Sequence, residues 1–215
     1  AMKTKVKNNS VILAMDIGNT TTSFALFKGG RIVARSLLST ACVKDADLKR
    51  ALAHFKKVSP LLDICLVCSV VPKALARYKR ILRKFFPRGL FVAGENFKIP
   101  IKNRYRHPRE VGQDRLACAY AAARQHACPL IVIDFGTAMT IDVVSAKGEY
   151  QGGMIIPGIR LSLKALAEHT ALLPQVAVQK PSSLIGRSTK ESILSGIFYG
   201  YVCLIQGIVA KIKKE

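Results

Sequence analysis

Ile12-Leu13-Ala14-Met15-Asp16-Ile17-Gly18-Asn19-Thr20-Thr21-Thr22 returns later in altered form as Ile131-Val132-Ile133-Asp134-Phe135-Gly136-Thr137-Ala138-Met139-Thr140. Each copy is an apolar run ending in Asp, then one residue and Gly, then small hydroxyl or amide residues that lead into a second apolar run. Val11 to Met15 has the length and bulk of a buried strand, and Asp-x-Gly is a turn that doubles the chain back. Gly has no side chain to hold a phosphate away, and the Asn and Thr groups after it donate hydrogen bonds to one. A carboxylate at a strand end beside such a turn is placed to hold a divalent cation bridging phosphate oxygens. A single Asp-x-Gly is most often an ordinary hairpin corner. Two of them in the same strand–turn–strand context predict two related half-domains facing one nucleotide.

Working outward, the pattern predicts strands at 11–16, 21–27 and 31–37, with a Gly29-Gly30 hairpin between the last two. Helix 46–57, strand 63–69, helix 73–86 and strand 90–93 follow. Three antiparallel strands and then alternating β and α segments make an α/β domain with a mixed sheet. A helix from Gly112 to Gln125 leads into strands 130–134, 138–145 and 149–155, with Lys147-Gly148 as a turn, and helices fill 158–169 and 188–213. The division is expected at 111/112, giving half-domains 1–111 and 112–215 without a flexible linker.

Half of the 215 residues are hydrophobic, enough for one large core or two smaller ones. The first apolar run is too short for a signal peptide. The apolar stretch from Ile193 to Val209 is interrupted by Ser195, Tyr199, Tyr201 and Gln206, so it is expected to be a buried helix rather than a membrane span. A cytoplasmic protein without a membrane partner is therefore expected. The six cysteines fit a reducing compartment. Cys65 and Cys68 form a C-x-x-C, but residues three apart on a strand point to opposite faces, so they read as small hydrophobes. His54, His107, His126 and His169 are scattered without metal-ligand spacing.

The net charge of +21 is more unusual. Between Lys73 and Arg109 basic residues recur every few positions, and Glu95 is the only acid. Lys73 to Phe85 reads as an amphipathic helix, with Ala74, Leu75, Tyr78, Ile81, Leu82 and Phe85 inward and Lys73, Arg77, Arg80 and Lys84 outward. Such a face attracts polyanions. No nucleic-acid module or base-stacking aromatic array accompanies it, so no sequence-specific nucleic-acid partner is expected.

Six ordered blocks now have a common owner: Asp16 to Thr20, Ser69-Val-Val-Pro72, Pro108-Arg-Glu-Val-Gly-Gln-Asp-Arg115, Asp134 to Thr140, Gly152-Gly-Met-Ile-Ile-Pro-Gly158 and Ile185-Gly-Arg-Ser-Thr189. The chain resembles the type III pantothenate kinases, within the superfamily of actin-like ATPases and sugar kinases. The resemblance implies two RNase H-like half-domains facing a nucleotide cleft, and ATP-dependent phosphorylation of pantothenate to 4'-phosphopantothenate, the first step toward coenzyme A. It assigns Asp114 as catalytic base, with Gly112, Gln113, Asp114, Arg115, Tyr105 and Thr189 at the pantothenate. Arg115 is expected to bind the acceptor and keep Asp114 ionised. Many relatives carry a small residue where this chain has Gln113. The segment Asp16, Ile17, Gly18, Asn19, Thr20, Thr21, Thr22 and Ser23, together with Thr137, is expected around ATP. Asp16 is implied as the magnesium carboxylate and Asp134 as the ligand of a monovalent cation, potassium or ammonium.

Alone, several of these residues have plainer readings. Asp-Arg is commonly a surface or helix-start pair, and Tyr105 an ordinary surface aromatic. Thr189 reads as the first turn of a helix capped by Ser188, paired with Glu191 in a capping box. Gly158 reads equally as a Pro-Gly turn or as a helix N-terminus facing an anion. Ser192, Gly196, Gly200, Cys203 and Gly207 place small residues in one helical stripe and, with the family resemblance, predict a homodimer. Family members also continue beyond the position of Glu215 into a strand and glycine-rich turn that back the adenine. The alternatives to an active kinase are a non-catalytic homologue and a basic nucleic-acid-associated regulator.

Overall fold

The computed structural model describes residues 10–42 and 44–215. The chain forms two compact units, Ala1–Arg124 and Gln125–Glu215. This division falls one helix later than the 111/112 boundary read from the sequence, because helix 113–125 belongs with the first unit.

The first unit is built on a five-stranded sheet of order β3-β2-β1-β4-β5, where β1 is Val11–Ile17, β2 Thr21–Lys28, β3 Arg31–Ser39, β4 Ile64–Ser69 and β5 Leu90–Val92. β1 to β3 pair antiparallel, whereas β4 joins β1 in parallel and β5 joins β4 in parallel. This is the mixed sheet expected of an RNase H-like half-domain. Gly29 and Gly30, at φ 56° and 79°, make the β2–β3 turn; two positive φ values match the right-handed strand twist there, and only Gly takes them without strain. The parallel pairs require crossovers, supplied by α1 (Asp45–Val58) and α2 (Pro72–Phe85).

The alternation of β1 sets the core. Val11, Leu13, Met15 and Ile17 are buried together with Leu48, Leu52 and Phe55 of α1 and Tyr78, Ile81 and Leu82 of α2. Each such side chain contributes about 1.5–3 kcal/mol by leaving water. The inward stripe read for α2 is thus the one buried, with Ala74, Leu75 and Phe85 partly buried at its edge. The opposite sheet face, with Ala14, Ala25 and Leu66, lines an open hollow of about 780 Å³ that Phe97 and Ala117 also border. Ala117 lies on α3 (Gln113–Gln125).

The second unit repeats the opening motif. β6 (Leu130–Phe135), β7 (Ala138–Val144) and β8 (Tyr150–Pro157) form an antiparallel meander, followed by α4 (Ile159–Glu168) and α5 (Thr189–Ile212). Leu163 of α4, Val176 of the connecting loop and Ile193 and Leu194 of α5 form a small core. One expectation fails here. The most apolar window of α5 is only 17% buried, so α5 is not the buried helix its hydropathy suggested. Its first turns pack on α4 and the loop and Tyr201 reaches α4 through its hydroxyl, while Phe198 and Val202 remain exposed.

Candidate active site

In the first unit, Asp16 pairs with Cys68 and Ile17 with Ser69 across the parallel β1–β4 edge. The turn after Asp16 is held from three sides. Gly18 N donates to Thr21 O at 2.9 Å, Thr40 N to Thr20 O at 2.9 Å and Val70 N to Ile17 O at 3.1 Å. Asp16, Asn19, Thr20 and Thr21 stand exposed on this scaffold, and Ser23 is half-buried. Ile17 and Thr22 are buried. The Thr22 hydroxyl is 2.9 Å from that of Thr40. Ile17 therefore offers only backbone to a ligand, and Thr22 braces the turn from below. Thr40, which sequence reasoning did not single out, is its partner; a Thr at a strand end carries no local sign of that role.

α3 brings the second carboxylate. Asp114 sits in its first turn, where the helix dipole favours an anion, and Oδ1 accepts from Arg115 N at 2.8 Å. A Cβ on Gly112 would lie 2.3 Å from Asp114 Oδ1 and 3.5 Å from Val70 Cγ1. Gly at 112 leaves room for the carboxylate to fold over this backbone; a side chain there would displace it. Gln113 turns instead toward Gly94, whose φ of +82° opens a space that the Gln113 side chain fills.

Asp16, paired with Cys68, and Asp114, folded over a Gly112 that lies against Val70, thus come to the same end of β4. Burial, and after it the negative charges of Asp16 and Asp114, push the Cys68 thiol up to about 12. The C-x-x-C has no redox geometry: all six cysteines are free, and burial raises Cys65 to about 12 as well. Tyr105 is half-buried on a loop organised by Asn103. Asn103 Oδ1 accepts from Tyr105 N at 2.9 Å and its Nδ2 donates to Pro108 O at 3.2 Å. Asn103 was also missed, although Asn before a Pro-containing turn is a recognisable loop organiser.

In the second unit, Gly136 N donates to Ala138 O at 3.1 Å, closing the second Asp-x-Gly turn much as Gly18 closes the first. Asp134 and Thr137 are exposed on either side of Gly136. Among the described residues the Asp134 carboxylate makes no hydrogen bond or ion pair. Gly158 N donates to Thr137 O at 2.9 Å, and a Cβ there would lie 2.2 Å from Gly136 O. Gly158 is the N-cap of α4, so the open backbone N–H groups of that helix start against the turn. Tyr201 of α5 bonds Pro157 O and lies 2.8 Å from Ser162 Oγ, tying the two helices together. Behind β7, the buried Asp142 accepts from Tyr150 Oη at 2.7 Å and from Thr140 Oγ1 at 3.2 Å.

Thr189 is the exposed first residue of α5. Ser188 Oγ accepts from Glu191 N at 3.3 Å as expected of its N-cap. The return bond is displaced by one residue: Glu191 Oε2 accepts from Arg187 N at 2.7 Å rather than from Ser188.

Comparison with known proteins agrees with these elements. The family model of type III pantothenate kinases matches residues 12–211. A type III pantothenate kinase of Persephonella marina is 42% identical over 212 residues, covering 95% of this chain and 82% of the relative. That of Caulobacter vibrioides is 40% identical over 212 residues, covering 95% of this chain and 81% of the relative. A solved Baf family protein of Campylobacter jejuni is similar in fold, with a TM-score of 0.57 at 22% identity, covering 91% of this chain and 78% of that one.

Proposed function

The chain belongs to the type III pantothenate kinase family, and we propose on that premise that it phosphorylates pantothenate with ATP through the residues gathered around its first Asp-x-Gly turn. The reaction commits pantothenate to coenzyme A synthesis as 4'-phosphopantothenate. One observation carries the residue assignment: Asp16 at the end of β1 pairs with Cys68 of β4, and Gly112, over which the Asp114 carboxylate folds, lies against Val70 at the end of that same strand.

Phosphoryl transfer to an alcohol is mostly positioning and charge stabilisation, with a carboxylate near the attacking hydroxyl. Asp114 accepts the proton of the pantothenate hydroxyl; its backbone bond from Arg115 N fixes one oxygen and leaves the other for substrate. Arg115 and Tyr105 of the first unit hold the acceptor. Asn19, Thr20 and Thr21 supply exposed polar groups to the ATP phosphates, with the backbone of Ile17 and Gly18 beneath them; in the second unit Thr137 is the exposed hydroxyl of the corresponding turn.

The donor sets fit the expected cations. Magnesium is commonly held by one or two carboxylates with waters and substrate phosphates completing its shell, and Asp16 is one exposed carboxylate beside a phosphate-type turn. Asp134 is an exposed hard-oxygen ligand with no ion pair among the described residues, suited to potassium or ammonium. When bound, these ions neutralise charge on the phosphate oxygens.

The same reading includes a homodimer. Cβ atoms built on Gly196, Gly200 and Gly207 meet nothing within 4 Å, so the small-residue stripe of α5 is open to another backbone. Phe198 and Val202, 37% and 38% exposed, border it. Six free cysteines support a cytoplasmic setting.

Coupled ADP release tests the proposal. Release should require pantothenate, be much faster in potassium or ammonium than in sodium or choline, and fall by about two to four orders of magnitude in Asp114→Asn with the fold intact. ADP release independent of pantothenate, or near-normal turnover in Asp114→Asn, would overturn it.

A further inference from the structure

α2 carries more positive charge than its own stability favours. It holds Lys73, Arg77, Lys79, Arg80, Arg83 and Lys84 and has no acid in its first turn, where Lys73 faces the positive end of the helix dipole. Lys73–Arg77, Lys79–Arg83 and Arg80–Lys84 are like-charge neighbours at i,i+4, each destabilising to an isolated helix. Arg83 and Lys84 do complement the last turn, but that explanation stops with them.

Ion pairing removes only part of this charge. Arg77 bonds Asp45 at 2.7 Å and Lys79 bonds Glu95 at 2.5 Å. Lys73, Arg80, Arg83 and Lys84 are exposed and make no ion pair among the described residues. At the C-terminal end of the helix, Lys79, Arg83 and Arg88 line a cleft of about 340 Å³ with Asn96 and Glu95. The apolar side of α2 is committed to the core through Tyr78, Ile81 and Leu82. The helix therefore has no greasy face to insert into a bilayer, and no exposed aromatic on which a base could stack.

We propose that the outer face of α2, continued by Arg83 and Arg88 into the cleft, binds the phosphodiester backbone of nucleic acid without reading its bases. From Lys73 to Lys84 the stripe runs about 16 Å at 1.5 Å per residue. Phosphates on one strand of a duplex follow one another about every 3.4 Å along the axis, so the stripe spans about five. Four unpaired cations match that run. The site is separate from the residues assigned to phosphoryl transfer, and it stands whether or not those assignments hold.

The test uses a fluorescent DNA duplex of about 20 base pairs, in two unrelated sequences, titrated by anisotropy across a salt series. Both sequences should bind within about two-fold of one another, and log K should fall against log salt with a slope of about −3 to −4 for four neutralised phosphates. The variant Lys73→Gln/Arg80→Gln/Arg83→Gln/Lys84→Gln should lose at least about ten-fold in affinity and more than half of that slope. Its melting temperature should be equal to or above that of the parent, and it should no longer rise on adding duplex. A matched variant, Lys28→Gln/Lys57→Gln/Lys147→Gln/Lys180→Gln, changes the net charge equally at exposed positions elsewhere and should keep most of the affinity. Equal losses in both variants would reduce the effect to net charge and sink the proposal. So would selectivity between the two sequences, or tighter binding to vesicles containing phosphatidylserine than to the duplex.

Discussion

Replacing Gly112 by Ala probes the site without removing any functional group. The added methyl would start 2.3 Å from Asp114 Oδ1, whereas ordinary contacts to a Cβ begin near 3.4 Å. Val70 Cγ1, at 3.5 Å from the same point, is at ordinary contact distance, so the strain falls on the carboxylate. The carboxylate must shift by about 1 Å or leave its rotamer. An off-rotamer side chain costs about 0.5–1.5 kcal/mol, while a 1 Å misplacement of a reacting group costs up to about 100-fold in rate. Turnover should therefore fall by about 10- to 100-fold, less than in Asp114→Asn, with circular dichroism and urea midpoint close to the parent's. Steady-state ADP release gives turnover and the pantothenate KM; a loss of turnover larger than the rise in KM is expected of a displaced base. Turnover within about two-fold of the parent would refute the reasoning, because a clash that moves the carboxylate cannot leave an essential base in place.

Asp16→Asn should depress turnover by weakening magnesium placement, with only partial recovery in excess magnesium; full recovery would assign Asp16 a purely electrostatic part. Asp134→Asn should erase the preference for potassium over sodium, and an unchanged preference would remove Asp134 from the cation site. Alkaline stability should reflect Cys65 and Cys68. The folded chain keeps both thiols protonated up to about 12, against 9.0 for an ordinary thiol. The native state thus binds more protons between those values, so their contribution is full below about pH 9 and is lost as pH rises toward 12. Urea midpoints should fall less over that window in Cys65→Ala/Cys68→Ala than in the parent; parallel curves would exclude the thiols. Gly200→Leu should shift the protein toward monomer in light scattering and lower activity with it, since the side chain enters space now open along α5; a fully active monomeric parent would return the glycine stripe to other uses.

Local sequence fixes what depends on neighbours along the chain. Period-two alternation in Val11–Ile17, the Gly29-Gly30 pair and the amphipathic stripe of α2 gave strands, turn and helix with little error, because backbone sterics and the demand to bury one face act within a few residues. The Asp-x-Gly repeat disclosed both half-domains for the same reason: each turn closes within its own few residues. Tertiary structure alone decided which members of those turns face outward. Thr20, Thr21 and Thr22 read alike, yet Thr22 is buried on Thr40 while Thr20 and Thr21 are exposed, a consequence of where β3 ends against β2. The meeting of Asp16 with Asp114 needed the parallel β1–β4 register and the close approach at Gly112, neither of which leaves a periodic trace. The exposure of α5 was equally beyond composition. Hydropathy measures what a helix can bury, whereas only the arrangement of α4, the loop around Val176 and α5 determines how much of it that unit covers.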